Sequence, residues 1–316
     1  MYLTIIALTT VSVFMFYALP RILIYSIRAK IQKNYRLKEE NLVIGDVAWS
    51  YLSGGEGTPI VFVPGFGSTK FQWGDSIYKL ASQHQIICID LPGFGSSKIR
   101  FDEFLDPESQ AKRLIAFIKH LNLKNVTLVG SSIGGYICCL AIRMWPDLAD
   151  RMVLIDPAGF RPTILSEETE QFLRDGIHPF SYATTKELDA LYDLLFYKPP
   201  VIPFLLKQHI ARQNRKQSHI RDAALRAIRL YGLFNINSEI NSFEQDILVI
   251  WGSNDRLFHP SGLSHFSSEK FEKLLLADCG HLPYLEKPNQ TVTAISEFIR
   301  TKSEGINETN CERKVA

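Results

Sequence analysis

The stretch VTLVGSSIGGY, residues 126–136, decides how the rest of the chain is read. VTLVG is a short apolar run, too short for a helix and closed by glycine, so it reads as a buried strand. Helical spacing follows over residues 134–145. A serine on so sharp a strand-to-helix turn is held in a strained backbone conformation, and glycines are needed two residues to either side. A Cβ at those positions would collide as strand and helix close on each other. Gly130, Ser132 and Gly134 fit that register, whereas Ser131 is flanked at the same spacing by Val129 and Ile133. Ser132 is therefore the candidate nucleophile.

Similar runs lie on both sides of this stretch. PIVFVPG (59–65), IICID (86–90), RMVLID (151–156), ILVIWG (247–252) and EKLLLAD (272–278) all stop at Gly, Asp or Pro. Helical patterns over 107–121, 134–145 and 290–300 fall between or after them. Strand then helix, repeated, predicts a mostly parallel sheet covered on both faces. From Pro157 to Asp246, about ninety residues show no buried strand but several helix-like stretches punctuated by HPF and YKPP. That is too long for a loop and predicts a helical cap, 157–246, inserted between late core strands.

A serine is a weak nucleophile at neutral pH and needs a histidine base and an acid to orient it, in the order Ser, Asp/Glu, His. His281 in ADCGHLPYLEKP follows the last predicted strand, at the carboxyl edge of the sheet where parallel sheets bind ligands. His84, His120, His178, His209, His219, His259 and His265 fall in helices, the insertion or a variable loop, where solvated or capping roles are the default. Two acids end core strands: Asp255 in WGSNDRLF and Asp156 in IDPAG. Chain order favours Asp255, with Asp156 the alternative acid. The oxyanion of a tetrahedral intermediate needs two backbone N–H donors, expected from Ile133, after the nucleophile, and Phe66 in VPGFGS, where Gly65 is expected to make the tight turn.

Hydrophobic residues at 46% and charged residues at 22% fit a sizeable core, and a net charge of +2 argues against a dedicated nucleic-acid binder. Five scattered cysteines lack metal-ligand spacing and read as free thiols, buried apart from Cys311. The first nineteen residues carry no charged side chain. A helix of that length rises about 28 Å, enough to cross a bilayer core with slight help; a cleaved signal peptide, for which a basic start and a small-x-small cleavage site are lacking, and a core helix are the alternatives. Arg21, Arg28, Lys30, Lys33, Arg36 and Lys38 follow before the first acid, Glu39, which by the positive-inside tendency places the catalytic body on the cytoplasmic side. The expected organisation is a membrane anchor (1–24), a basic linker (25–41), a core (42–156 and 247–302) interrupted by the cap, and a flexible tail (303–316).

With VPGFG, DLPGFGSS, GSSIGG, IDPAGF, WGSND and GHLPYLEKP in this order, the chain resembles the α/β-hydrolase superfamily from about residue 42 to 300. DPAGF, LYDLLFYKPP and the N-terminal segment resemble the branch that contains membrane-anchored monoacylglycerol lipases and cold-adapted bacterial lipases. The resemblance implies a serine hydrolase of carboxylic esters, acylglycerols among them, working without metal or cofactor. One departure is Pro64 before Gly65, where the family commonly has histidine, which bears on the oxyanion loop more than on the reaction. Acyl transfer or carbon–carbon hydrolysis by the same three residues, and a silent receptor on the same fold, are the competing readings. Ser132 at the elbow disfavours epoxide hydrolase and dehalogenase chemistry, which needs a carboxylate there. In the insertion, PPVIPFLL (199–206) precedes Lys207, Arg212, Arg215, Lys216, Arg221, Arg226 and Arg229, opposed by Asp222. An apolar lip beside basic residues suits a cap on an anionic membrane; the alternative is a lip packed on the core beside solvated charges.

Overall fold

The computed structural model describes residues 14–100 and 105–312. Nine strands form one sheet: β1 (Lys38–Ile44), β2 (Val47–Gly54), β3 (Pro59–Val63), β4 (Gln85–Ile89), β5 (Lys98–Ile99), β6 (Thr127–Ser131), β7 (Arg151–Ile155), β8 (Asp246–Gly252) and β9 (Glu272–Leu276). Their order is β1-β2-β4-β3-β6-β7-β8-β9, with β5 paired to β2. From β4 to β9 along this path neighbours run parallel, while β1, β2 and β5 pair antiparallel.

The apolar runs become central strands because both of their faces are covered. Val61, Val63, Leu128, Val249 and Trp251 point into one hydrophobic layer with Leu114, Phe117, Ile137 and Leu140. Ile60, Phe62, Val129, Leu248 and Ile250 point into the other, against Trp73, Ile77, Ile295 and Phe298. The period of two thus feeds two cores, and each fully buried aliphatic side chain contributes about 1.5–3 kcal/mol. The first layer is carried by α3 (Pro107–His120) and α4 (Ile133–Met144); the second by α2 (Gly74–Tyr78), α9 (Pro283–Glu286) and α10 (Pro288–Glu312). Cys88, Cys138, Cys139 and Cys279 are buried free thiols.

A π-helical turn, Phe14–Ala18, leads into α1 (Leu19–Tyr35), which Arg36 ends in the left-handed region. This helix runs through the boundary expected between anchor and linker, and β1 begins at Lys38. Ile31 and Tyr35 pack against the second layer, and the Tyr35 and Tyr78 rings lie 5.9 Å apart. Among the described residues no helix is long and apolar enough to cross a membrane. Residues 1–13, most of the uncharged segment, lie outside the described residues.

Between β7 and β8 lie α5 (Glu167–Asp175), α6 (Thr185–Leu195), α7 (Phe204–Lys216) and α8 (Ser218–Tyr231). Local chemistry sets their limits. Ser166 caps α5 by accepting the Thr169 N–H, Gly176 closes it at φ 77°, and Thr184 with Glu187 forms a capping box on α6. Phe172, Leu191, Leu194 and Ile228 join the first layer. The basic run on α7 and α8 is not a uniformly solvated face. Arg212 lies over the Phe16 and Tyr17 rings at 4.2 and 4.7 Å, Arg229 donates to the Leu173 and Arg174 carbonyls, and Arg221 turns inward.

Candidate active site

Ser132 stands between β6 and α4 at φ 56°, ψ −125°, a conformation that side-chain-bearing residues rarely adopt. Neighbours hold it there. Its N–H donates to Ile155 O at 2.9 Å, and its carbonyl accepts the Gly135 and Ala158 N–H groups at 3.0 and 3.1 Å. The flanking glycines are needed for room: a Cβ on Gly130 would lie 2.6 Å from Gly134 O, and one on Gly134 would lie 2.2 Å from Val63 O. Ser131 is the last residue of β6, paired with Ile155, and has no such strain.

His281 enters from the loop after β9. Its N–H donates to Leu195 O at 2.8 Å, tying it to the end of α6. Its Nδ1 lies 2.7 Å from Asp255 Oδ2, and both side chains are buried. Asp255 Oδ1 accepts the Leu257 and Phe258 N–H groups at 2.8 and 3.0 Å, which fixes the carboxylate. Trp251 steadies that loop through Nε1–H to Phe258 O at 2.8 Å. The imidazole is therefore oriented from one side, while Nε2 is buried with no hydrogen-bond partner among the described residues, and His281 lines the same cavity as Ser132.

Asp156 lies in this cluster, with ligand atoms of Asp156, Asp255 and His281 within 4.8 Å of one another. Its Oδ1 accepts Gly252 N–H at 2.9 Å, and it does not replace Asp255 as partner of Nδ1. Burial, and then the charge of Asp255, hold its carboxyl well above the usual carboxylate range. These three are a candidate metal-ligand group, but Nδ1 and both Asp255 oxygens already make short hydrogen bonds.

Ile133 begins α4, where the free amides and helix dipole favour negative charge. Phe66 lies in the turn closed by Ser68 N–H donating to Gly65 O at 3.2 Å. Among the described residues neither the Phe66 nor the Ile133 amide is taken by another group. The left-handed residue of that turn is Gly67, at φ 67°, and not Gly65 as expected. Gly65 instead faces the elbow, where a Cβ would lie 3.4 Å from Ser132 Cβ.

A cavity of about 230 Å³ joins Ser132 and His281 to Phe66, Tyr182, Leu191 and Arg221. A narrow apolar extension of about 30 Å³ runs from Ser132 and Ile133 past Ala158, Leu225 and Phe258. Two histidines are not simply solvated. His178 caps, accepting the Phe180 N–H at 3.2 Å, and it also stacks on Phe180 at 4.6 Å in the wall of this extension, where burial pushes its pKa down to about 3. His209 is buried in α7. His259 and His265 do cap, His259 accepting Ser261 N–H and His265 meeting Arg161 O at 2.7 Å. His178, Phe180, Tyr182 and Arg221 come from the insertion, and no local pattern in the sequence marks them as cavity residues.

The family model described as the alpha/beta hydrolase family matches residues 60–295. Lipase 1 of Psychrobacter immobilis is 24% identical over 245 residues, covering 77% of each chain. The human monoacylglycerol lipase ABHD6 is 23% identical over 251 residues, 76% of this chain and 74% of its own. The crystal structure of a membrane phospholipase A, described as a bacterial virulence factor, superposes with a TM-score of 0.84 at 25% identity, covering 95% of this chain and 97% of that one.

Proposed function

The chain belongs to the alpha/beta hydrolase family, and from that premise we propose that it is a membrane-associated serine lipase cleaving acylglycerol esters through an acyl-enzyme on Ser132. That it is a lipase-type hydrolase of carboxylic esters follows from the lipases among its relatives. The observation that carries the finer reading is the Asp255–His281 hydrogen bond of 2.7 Å, opening on a cavity shared with a strained Ser132.

Ser132 Oγ attacks the acyl carbonyl while His281 Nε2 takes its proton, and Asp255 holds the imidazolium that forms. The carbonyl oxygen, now an oxyanion, accepts the Phe66 and Ile133 N–H groups, each worth about 3 kcal/mol in the transition state. His281 returns the proton to the departing glycerol oxygen, then activates water against the acyl-enzyme. The apolar side chains of Leu225 and Phe258 in the narrow extension suit contact with the first carbons of an acyl chain.

Membrane association is supported by the uncharged first nineteen residues with their basic flank. The lip of the cap supports it too, since Val201 is 98% and Phe204 61% exposed beside Lys207. A single-pass anchor with the catalytic body facing the cytoplasm fits that charge pattern.

Detergent-solubilised full-length protein is to be assayed on p-nitrophenyl esters and on mono-, di- and triacylglycerols beside Ser132→Ala. Glyceride turnover lost in the variant is the expected result. Absence of turnover on every ester by folded wild type overturns the reading.

A further inference from the structure

A second cavity, about 520 Å³, lies between α1, the loop after β3, and helices α7 and α8. Its wall carries three guanidinium groups: Arg21 and Arg28 from α1 and Arg221 from α8. Asp90, the acid in that wall, is already engaged. Its Oδ2 lies 2.8 Å from Lys70 Nζ and accepts the Ser96 N–H, and its Oδ1 accepts the Lys70 N–H at 2.6 Å. Glu39 nearby is held 2.9 Å from the same Lys70 ammonium. The arginines thus leave the cleft positive. His209 in the wall is kept below the ordinary imidazole value by burial, then by the charges of Arg21, Arg212 and Lys216.

Arg221 connects this cleft to the catalytic cavity, lining both. Its Nε is buried with no hydrogen-bond partner among the described residues, and a buried N–H without an acceptor is a rare, unfavourable arrangement that an oxyanion relieves. Its guanidinium rests on Gly67, where a Cβ would lie 2.1 Å from Nη1. Gly67 is two residues from Gly65, which abuts Ser132 Cβ, and the tight turn between them keeps guanidinium and nucleophile within on the order of 10 Å. A glycerol spacer covers that distance.

We propose that this cleft is a phosphate subsite: the phosphate of an acylated glycerophosphate lies between Arg28 and Arg221 while its acyl ester reaches Ser132. The assignment rests on Ser132 as nucleophile. Guanidinium forks from two helices suit a tetrahedral anion with several oxygens, whereas a carboxylate is satisfied by one fork. The substrate then enters with its headgroup on the α1 side and the first carbons of its acyl chain toward Leu225 and Phe258.

The test compares 1-oleoylglycerol with 1-oleoylglycerol 3-phosphate, which differ by the phosphate alone, in wild type, Arg221→Gln and Arg28→Gln. Wild type is expected to favour the phosphate ester in kcat/KM, and each variant to lower that ratio by about tenfold. Arg28→Gln, on a different helix, keeps the test open if Arg221→Gln does not fold. In parallel, thermal unfolding with glycerol 3-phosphate, against glycerol and inorganic phosphate, reads the cleft without catalysis. Stabilisation by glycerol 3-phosphate that both variants lose supports the subsite even if no ester is turned over, in which case it is the hydrolase reading that fails. Turnover of both lipids at one ratio in all three proteins overturns the subsite. Stabilisation by inorganic phosphate equal to that by glycerol 3-phosphate, with no preference for the phosphorylated lipid, assigns the cleft to free phosphate and also overturns it.

Discussion

His281 Nδ1 and Asp255 Oδ2 are 2.7 Å apart, and the other Asp255 oxygen accepts two backbone amides, so the acid is fixed by the loop that carries it. An amide in place of this carboxylate offers its NH2 either to Nδ1 or to amides that are themselves donors. One arrangement reverses the imidazole tautomer, and the other sets donor against donor. Asp255→Asn is expected to lower kcat by about 10³–10⁴-fold with circular dichroism unchanged. A loss below about tenfold would remove Asp255 from the triad.

Asp156 carries a prediction of opposite character. Its carboxyl titrates well above the ordinary range because it is buried and then because Asp255 beside it is charged. A raised folded-state pKa means that the folded protein binds this proton more tightly than the unfolded chain. Its stabilising effect is complete below about pH 4 and declines as pH rises toward the folded-state value. Asp156→Asn keeps an acceptor for Gly252 N–H and removes the titration. The Tm of the variant minus that of wild type is therefore expected to grow from pH 4 to pH 8, with kcat retained within a few fold. A difference that shrinks over this range would mean that Asp156 is ionised.

Much of this was legible because strands buried on both faces leave continuous apolar runs, and Ser132, Asp255 and His281 sit where such runs stop. β1 and β2 escaped for the converse reason. β1 is an edge strand with Lys38, Glu39 and Glu40 in its first residues, and β2 interleaves Trp49 and Tyr51 with Ser50, whose N–H is satisfied by Ser97 Oγ. Neither has a run to read. Arg221 and His178 were illegible on other grounds. Their places in the cavity depend on how α5 to α8 lie over the sheet, and a surface arginine and one that lines a cavity have the same local sequence.

Glu286 shows how that packing is transmitted to the site. Its Oε1 accepts Gly280 N–H at 2.7 Å, next to His281, while Oε2 accepts the Tyr197 and Lys198 N–H groups at 2.9 and 3.2 Å just after α6. One carboxylate thus joins the base loop to the insertion. Glu286→Ala is expected to cost about 1–3 kcal/mol in urea unfolding and to lower kcat more than it raises KM. Glu286→Gln keeps one acceptor oxygen and sets an NH2 against an N–H donor at the other position, so it is expected to recover only part of the kcat. An unchanged kcat in both variants would detach the bridge from the site.

The cap lip tests the membrane reading. Val201 and Phe204 are too exposed to be packing on the core, which removes the bland account of PPVIPFLL for these two side chains. Each is expected to contribute about 1.5–3 kcal/mol when sunk in acyl chains, so Val201→Asp with Phe204→Asp should weaken vesicle partition at least about tenfold. The exposed Arg215 and Lys216 at the end of the same helix act through the surface potential, at about 1 kcal/mol per cation near an anionic leaflet, whereas Lys207 is paired with Asp189 at 2.5 Å. Their neutralisation should weaken binding to anionic vesicles alone, and only at low salt. The two sets of variants therefore separate on zwitterionic vesicles: the apolar pair still loses affinity there and the charge variants do not. Unchanged partition of the apolar double variant on both vesicle types would detach the cap from the membrane and leave the N-terminal segment as its contact.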